Sequence, residues 1–332
     1  MNTDENDILM MRRALRLATL GRGFASPNPM VGAVITDVSG LITGEGWHRC
    51  WGGPHAEVNA VASARARGAD LRECTIYVTL EPCAHFGKTP PCARLLAECG
   101  FRRVVIGSVD PFPKVAGRGI EILRAAGIDV TCGVLEDECR SLNRRFFFAH
   151  THRRPWVMLK WAQSLDGFMA GPGNEPVAFS TPVSQMWMHR ERAACDAILA
   201  GTGTLIADDP SLTVRLWPHR RSVPVVIMGA RTPRYCKVLC NPLTIKVDAG
   251  LGLAAALEEL YVSHGITSLM VEGGAHMLAS FMREDLWQEM RIEVSPILLH
   301  EGLKAPEVPM AELHASPCGG NMIYTRSNVN GR

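Results

Sequence analysis

The chain has almost no net charge: 35 Lys and Arg stand against 33 Asp and Glu. The balance holds along its length, with 18 basic and 16 acidic residues in 1–150 and 17 of each in 151–332. A nucleic-acid partner would require a basic excess in at least one half, because phosphate neutralisation supplies much of such affinity. A small-molecule substrate is therefore expected, with no nucleic acid. Long apolar runs are missing too. No stretch approaches the roughly 18 consecutive apolar residues of a membrane span. The opening MNTDENDILMMRRALRLATLGRG puts acids where a secretory signal is basic and spreads its apolar residues along a helix. No segment of about 20–50 residues repeats, so a solenoid is excluded. The G-x-G-x-x-G fingerprint of dinucleotide-binding Rossmann domains is absent. Eleven cysteines, an odd number at irregular spacing, do not form a disulfide framework. Free thiols and metal ligation in a reducing cytoplasm fit better.

Hydrophobic residues at 47% and charged residues at 20% are globular values, which excludes global disorder. At roughly 150 residues per domain the length suggests about two domains. A helical stripe over 7–20 is stopped by Gly21 and Gly23. Strands are then expected at 31–36, 75–80, 103–106 and 129–132, with helices at 55–67, 91–99 and 120–126 between them. A second alternation starts at Trp156, with strands at 156–161, 197–200, 223–228, 244–247 and 268–271 and helices at 181–194 and 275–282. HTHRRP at 150–155 interrupts regular structure. The expectation is two unlike α/β domains, 1–150 and 151–332.

The strongest chemical signal is Pro54-His55-Ala56-Glu57, followed by Glu81-Pro82-Cys83 and Pro90-Pro91-Cys92. One histidine and two cysteines make a tetrahedral zinc site with the fourth position left for water, the catalytic arrangement. Zinc lowers the pKa of such a water toward 7. Glu57, two residues from His55, is placed to shuttle its proton without ligating the metal. This is the zinc-deaminase pattern H-x-E…P-C…C. The alternative is buried structural cysteines with a histidine at a helix start. The insertion between the cysteines, AHFGKTPP, carries His85, Lys88 and Thr89, polar groups suited to a phosphorylated substrate.

With PNPMVGAV at 27–34, GEGWH at 44–48, PHAEVNA at 54–60, TLEPCAHFGKTPPC at 79–92 and DPFPKVAGRG at 110–119, residues 8–150 closely resemble one family. It is the bifunctional deaminase–reductase of riboflavin biosynthesis. The resemblance implies a cytidine-deaminase-like α/β/α layer domain and one bound Zn2+. The implied reaction is hydrolysis of the 2-amino group of 2,5-diamino-6-ribosylamino-4(3H)-pyrimidinone 5′-phosphate. It places Glu57 as the catalytic residue and His55, Cys83 and Cys92 on the metal. Asn28 and His48 would hold the pyrimidine, with His85 and Lys88 near substrate.

The second half carries weaker motifs. Val271-Glu272-Gly273-Gly274 ends an apolar strand in two glycines before a helix, where free N–H groups suit a phosphate. GTGTLIADDPSLTVR at 201–215 reads as a polar loop after a strand. With KWAQSLDG at 160–167, these segments resemble the same family's reductase domain. That resemblance implies a dihydrofolate-reductase-like α/β fold, NADPH, and reduction of the ribosyl chain to ribityl. Ala162, Thr204 and Asp208 would contact the cofactor. Gly274, Ala275, His276, Met277, Leu278, Ala279 and Ser280 would wrap its phosphates. Arg192, Leu212, Arg215 and Glu272 would contact substrate, the arginines suiting the ribose 5-phosphate. Pro176 and Ala178 depart from the family pattern before the second helix, which keeps open a deaminase with a catalytically silent second domain. A dimer or tetramer is the implied assembly.

Overall fold

Each half of the chain alternates strands whose successive side chains face opposite ways, and helices cover both faces. The computed structural model describes residues 5–84, 90–111, 117–217, 222–229, 234–309 and 312–328. It divides into two units, Met1–His152 and Arg153–Arg332. The helix that closes the first unit runs through HTH of the HTHRRP segment, so regular structure persists to His152.

The first unit runs α1 (Glu5–Thr19), β1 (Gly32–Thr36), β2 (Ile42–Trp47), α2 (Ala56–Ala66), β3 (Thr75–Leu80), α3 (Cys92–Cys99), β4 (Arg103–Ser108), α4 (Arg118–Ala125), β5 (Asp129–Cys132), α5 (Glu136–Leu142) and α6 (Arg144–His152). Its sheet has the order β2-β1-β3-β4-β5. The pairs β1–β2 and β1–β3 are antiparallel; β3–β4 and β4–β5 are parallel. Ala33, Ile35, Ile76, Val78, Val104 and Ile106 face α2, α3 and α4 in one core. Their neighbours Val34, Tyr77 and Val105 face α1 and α5 in another. Period-two alternation with both sides apolar is what a sheet sandwiched between helix layers requires. Arg103 on β4 reaches Asp7 on α1 with two hydrogen bonds of 2.9 and 2.8 Å, fixing that helix along the sheet.

The second unit runs β6 (Trp156–Gln163), β7 (Phe168–Ala170), α7 (Pro182–Ala193), β8 (Ala197–Gly201), α8 (Thr202–Asp208), β9 (Val225–Met228), β10 (Ile245–Val247), α9 (Leu253–His264), β11 (Ser268–Val271), α10 (Ala275–Arg283), β12 (Glu289–Val294), β13 (Leu303–Lys304), β14 (His314–Cys318) and β15 (Asn321–Ser327). Its main sheet has the order β10-β9-β8-β11-β6-β12-β15-β14, parallel through β12 and antiparallel beyond. Val157, Leu159, Leu199, Leu269 and Val271 pack under α9 and α10, while Met158 and Met270 turn to Met188 of α7. One expectation fails here. The 201–215 segment is not loop throughout: its first seven residues after Gly201 are α8, and Leu205 buries its side chain against Ile198 and Ala200. Threonines and glycines obscured a helix that tertiary packing stabilises.

Candidate active sites

In the first unit, α2 starts directly after His55, and α3 starts at Cys92 behind Pro91. β3 delivers Glu81-Pro82-Cys83 from its carboxyl end. These three ends meet. Among the described residues, the one group of ligand-type side chains close enough to hold a metal is His55, Cys83 and Cys92, whose ligand atoms all lie within 4.8 Å of one another. The histidine turns Nδ1 to both sulfurs, at 3.7 Å from Cys83 Sγ and 3.3 Å from Cys92 Sγ. The N–H of Cys92, at the start of α3, donates to Cys83 Sγ at 3.3 Å. Hydrogen bonds from Cys92 and His55 outweigh burial and pull the Cys83 thiol well below its ordinary value. Cys92 is pushed up, because a second thiolate beside Cys83 in a buried site is unfavourable. Nitrogen and sulfur donors, one sulfur already held as thiolate, are the donor set that zinc prefers.

Glu57, in the first turn of α2, is 3% exposed. Burial, and then the neighbouring Cys83 sulfur, raise its carboxyl to about 7. At that value it exchanges a proton in either direction near neutral pH. His48 stands edge-on to His55, ring centroids 5.3 Å apart. Its Nδ1 lies 3.1 Å from the Pro54 carbonyl, which only accepts, so Nδ1 carries the proton. Nε2 therefore accepts from the Asn28 amide at 3.2 Å. Desolvation lowers the His48 pKa and keeps this neutral tautomer. The structure thus brings Asn28 and His48 to the ligand cluster. His85 and Lys88 lie outside the described residues. Two contributors were not singled out from sequence. Asn59 donates to Trp47 O (2.9 Å) and Pro54 O (3.3 Å), pinning the turn before His55. Its place in PHAEVNA, one helical turn after His55, was the available signal. Glu81 is the other.

In the second unit, β8 and β11 are parallel neighbours, and α8 and α10 leave their carboxyl ends together. Ligands of open parallel sheets bind at such strand ends. The N-caps Gly201 and Gly274 use no side chain to cap their helices. Gly273 has φ 126°, a conformation that favours glycine. A Cβ on Gly273 or Gly274 would stand 3.3 or 3.1 Å from Thr204 Oγ1, so the turn and α8 form one narrow cradle. Ala275, His276 and Met277, in the first turn of α10, offer N–H groups without intrahelical acceptors. The N–H of Leu278 already donates to Gly274 O, and its side chain is fully buried in the core. Ser280 accepts from Arg283 at 3.2 Å. Leu278, Ala279 and Ser280 continue α10 beyond that first turn. Ala162 lies on β6 and Asp208 ends α8.

Arg192 on α7 makes a bidentate pair with Glu272, at 2.5 and 2.7 Å, and its Nη1 donates to Thr213 O at 3.0 Å. All three arms of the guanidinium are therefore committed to protein. Arg215 is exposed and, among the described residues, is held through the Ser211 and Thr213 hydroxyls, which leaves it the freer cation for a phosphate. Leu212 shares this loop, is buried, and has φ 44°. Burial favours a neutral Glu272, but Arg192, Lys160 and His189 prevail and hold it below its ordinary pKa. Lys160 and His189 were not anticipated from sequence. Burial lowers both, His189 to about 4, and His189 Nδ1 accepts the Leu216 N–H at 3.5 Å. Pro176 and Ala178 are exposed; the hydroxyl of that segment comes from Ser180, which donates to Glu293 at 2.7 Å.

Known proteins repeat this pairing of sites. A family profile described as the cytidine and deoxycytidylate deaminase zinc-binding region matches residues 4–108, and one described as the RibD C-terminal domain matches 155–308. Riboflavin biosynthesis protein RibD of Aquifex aeolicus is 37% identical, the match covering 94% of this chain and 93% of that protein. The Bacillus amyloliquefaciens protein of the same name is 37% identical, over 91% and 87%. The crystal structure of a Thermotoga maritima diaminohydroxyphosphoribosylaminopyrimidine deaminase/5-amino-6-(5-phosphoribosylamino)uracil reductase superposes with a TM-score of 0.86. It is 33% identical and covers 97% of this chain and 99% of its own. An Acinetobacter baumannii RibD structure gives 0.87 at the same identity and coverage.

Proposed function

Because the chain belongs to the RibD family of riboflavin biosynthesis proteins, we propose that its two sites act in sequence on one phosphorylated pyrimidine. The first unit hydrolyses the 2-amino group of 2,5-diamino-6-ribosylamino-4(3H)-pyrimidinone 5′-phosphate. The second reduces the ribosyl chain with NADPH, giving 5-amino-6-(5-phosphoribitylamino)uracil. The observation that carries the reading is the His55–Cys83–Cys92 cluster with buried Glu57 beside it.

His55 Nδ1 and the sulfurs of Cys83 and Cys92 would hold a zinc ion, which would supply the Lewis acidity that makes a water nucleophilic near neutral pH. Glu57 takes one proton from the attacking water and gives it to the ring nitrogen, then moves the proton of the new hydroxyl to the departing amine, which leaves as ammonia; burial has raised its pKa to suit both transfers. Asn28 and His48 orient the pyrimidine, the Asn28 amide being fixed in direction by its bond to His48. His85 and Lys88 complete the substrate contacts.

When bound, NADPH would supply the hydride for C1′ of the opened ribosylamine. Ala162, Thr204, Asp208 and the N–H groups of Gly274, Ala275, His276 and Met277 hold the cofactor, the glycine turn letting a phosphate approach the backbone. Arg215 binds the substrate phosphate, Leu212 packs on the substrate, and Arg192 fixes Glu272 toward it. The reading includes a cytoplasmic homo-oligomer, dimer or tetramer, for which light scattering on the purified protein is the check. No helix of the described residues is long and apolar enough to cross a membrane.

The test is to incubate purified protein with the diaminopyrimidine ribosylamine phosphate and follow ammonia release together with NADPH absorbance. Stoichiometric ammonia followed by NADPH oxidation is the expected result. Ammonia without oxidation would leave the second unit silent and overturn half of the proposal.

A further inference from the structure

Glu81 of the EPC motif has no role in the reaction just described, yet it is ionisable and only 3% exposed. Among the described residues, its hydrogen bonds come from backbone N–H groups. Its Oε1 accepts the backbone N–H of Gly119 at 2.9 Å and of Ile120 at 3.4 Å. Its Oε2 accepts those of Gly117 at 3.0 Å and Asp110 at 3.2 Å. The donors come from both described ends of the 110–119 segment and from the first turn of α4. The Glu81 N–H itself donates to Ser108 O at the end of β4, at 2.9 Å. Backbone contact reinforces this junction: a Cβ on Gly119 would stand 2.1 Å from the Pro82 carbonyl, so α4 is seated directly on the peptide that leads into Cys83. One carbonyl further on, Cys83 O accepts the Ala93 N–H of α3 at 3.2 Å.

We propose that Glu81 is a positioning residue for the metal centre, its carboxylate locking the Glu81-Pro82-Cys83 turn to β4 and α4 and so setting where the Cys83 sulfur stands relative to His55 and Cys92. The proposal rests on the zinc site of the preceding section. The carboxylate suits the task because it only accepts, through two oxygens, and the turn presents only donors. Its negative charge also lies at the N-terminus of α4, where the helix dipole favours it. Glutamine has the same shape but replaces one oxygen with a donor, so one pair of N–H groups would face an NH2 and be left unsatisfied in a buried junction.

The test compares wild type, Glu81→Gln, Glu81→Asp and Gly119→Ala, all as full chains. Three quantities are read: zinc bound per chain, the rate of zinc transfer to a chromogenic chelator, and the visible absorption of the cobalt-loaded protein. Far-UV circular dichroism and the thermal transition of the first unit report that each variant is folded. Groups that orient metal ligands typically change metal affinity by about 10–100-fold when lost. E81Q is expected to release zinc at least about tenfold faster than wild type and to show shifted cobalt bands. E81D, too short to span both donor pairs, should fall between the two. Wild-type release and wild-type cobalt bands in E81Q, whatever its melting temperature, would reduce Glu81 to a fold-stabilising residue and overturn the proposal. If E81Q does not accumulate, G119A and E81D are read against the same two outcomes. A wild-type protein that binds no zinc would instead refute the zinc-site reading itself.

Discussion

At the residue scale, the two sites use burial in opposite ways. Around Glu57, burial and a neighbouring sulfur raise a carboxyl to about 7 and make it a proton carrier. Around Glu272, a bidentate arginine keeps a carboxyl charged although it is buried. Replacing Glu57 with Gln should lower the deamination rate by about 10²–10⁴-fold, the usual worth of a positioned acid–base group. Bound zinc, measured by elemental analysis, and NADPH oxidation with the deaminated intermediate supplied should be unchanged. Replacing Arg192 with Met would strand Glu272 with Lys160 as its remaining cation. Breaking a buried pair costs about 3–5 kcal/mol, and the remaining lysine argues for the lower end. Urea unfolding of the second unit should show that loss and its partial recovery in Arg192→Met/Glu272→Met.

His189 makes a pH-dependent prediction. Its pKa is pushed from 6.5 to about 4, by burial first and then by the charges of Arg192 and Arg215; Lys160 adds to the effect and Glu272 opposes it. Between those values the unfolded chain binds a proton that the native protein refuses. The contribution to stability is therefore undiminished above pH 6.5, is lost progressively as pH falls toward about 4, and changes no further below that. His189→Asn keeps an acceptor for the Leu216 N–H but does not titrate, so its urea midpoint for the second unit should fall less between pH 7 and pH 5 than that of wild type.

At the scale of elements, the deaminase site is placed by close backbone packing. A Cβ on Gly46 would lie 2.3 Å from Ala60 N and 2.4 Å from Ala56 O; one on Gly44 would lie 2.6 Å from Ala60 O. β2 thus carries α2 on a glycine surface, and the first turn of α2 carries Glu57 just after His55. Gly46→Ala must push α2 outward. It should destabilise the first unit by about 1–3 kcal/mol, as overpacking does. Zinc retention and ammonia release should fall with it, while NADPH oxidation with the deaminated intermediate supplied should not. In the second unit the same role falls to the paired ends of β8 and β11, which aim two helix starts at one cradle.

At the scale of the whole molecule, each unit has its own apolar cores, and the chemistry divides along the same line. A metal chelator should abolish ammonia release and leave reduction of the deaminated intermediate intact, with added zinc restoring the first activity. Calorimetry should show the chelator lowering a transition of the first unit only. A chelator that stopped both activities would contradict this separation.

The order of elements followed from the sequence where apolar alternation is strong. β3 and β11 begin and end where the pattern says, because every position of both is buried, whereas β5, an edge strand with exposed ends, is bounded instead by Gly127 and Gly133. β2, ITGEGW, carries two glycines and a glutamate; β12, EMRIEV, carries three charges. Neither shows that signal, since their partners supply the burial. The zinc constellation was legible because ligand chemistry restricts residue type and spacing, and Glu57 is tied to His55 by two residues of helix. The neighbours of Glu81, the tautomer of His48, the commitment of Arg192 to Glu272 and Thr213, and the presence of Lys160 and His189 beside them were not. Each joins residues on different elements, up to 112 positions apart for Lys160 and Glu272. What the sequence determined by itself is the local chemistry of ligands, turns and alternating strands. Which carboxyl is raised and which is held charged was decided by tertiary structure, because burial and charge depend on what folding brings near.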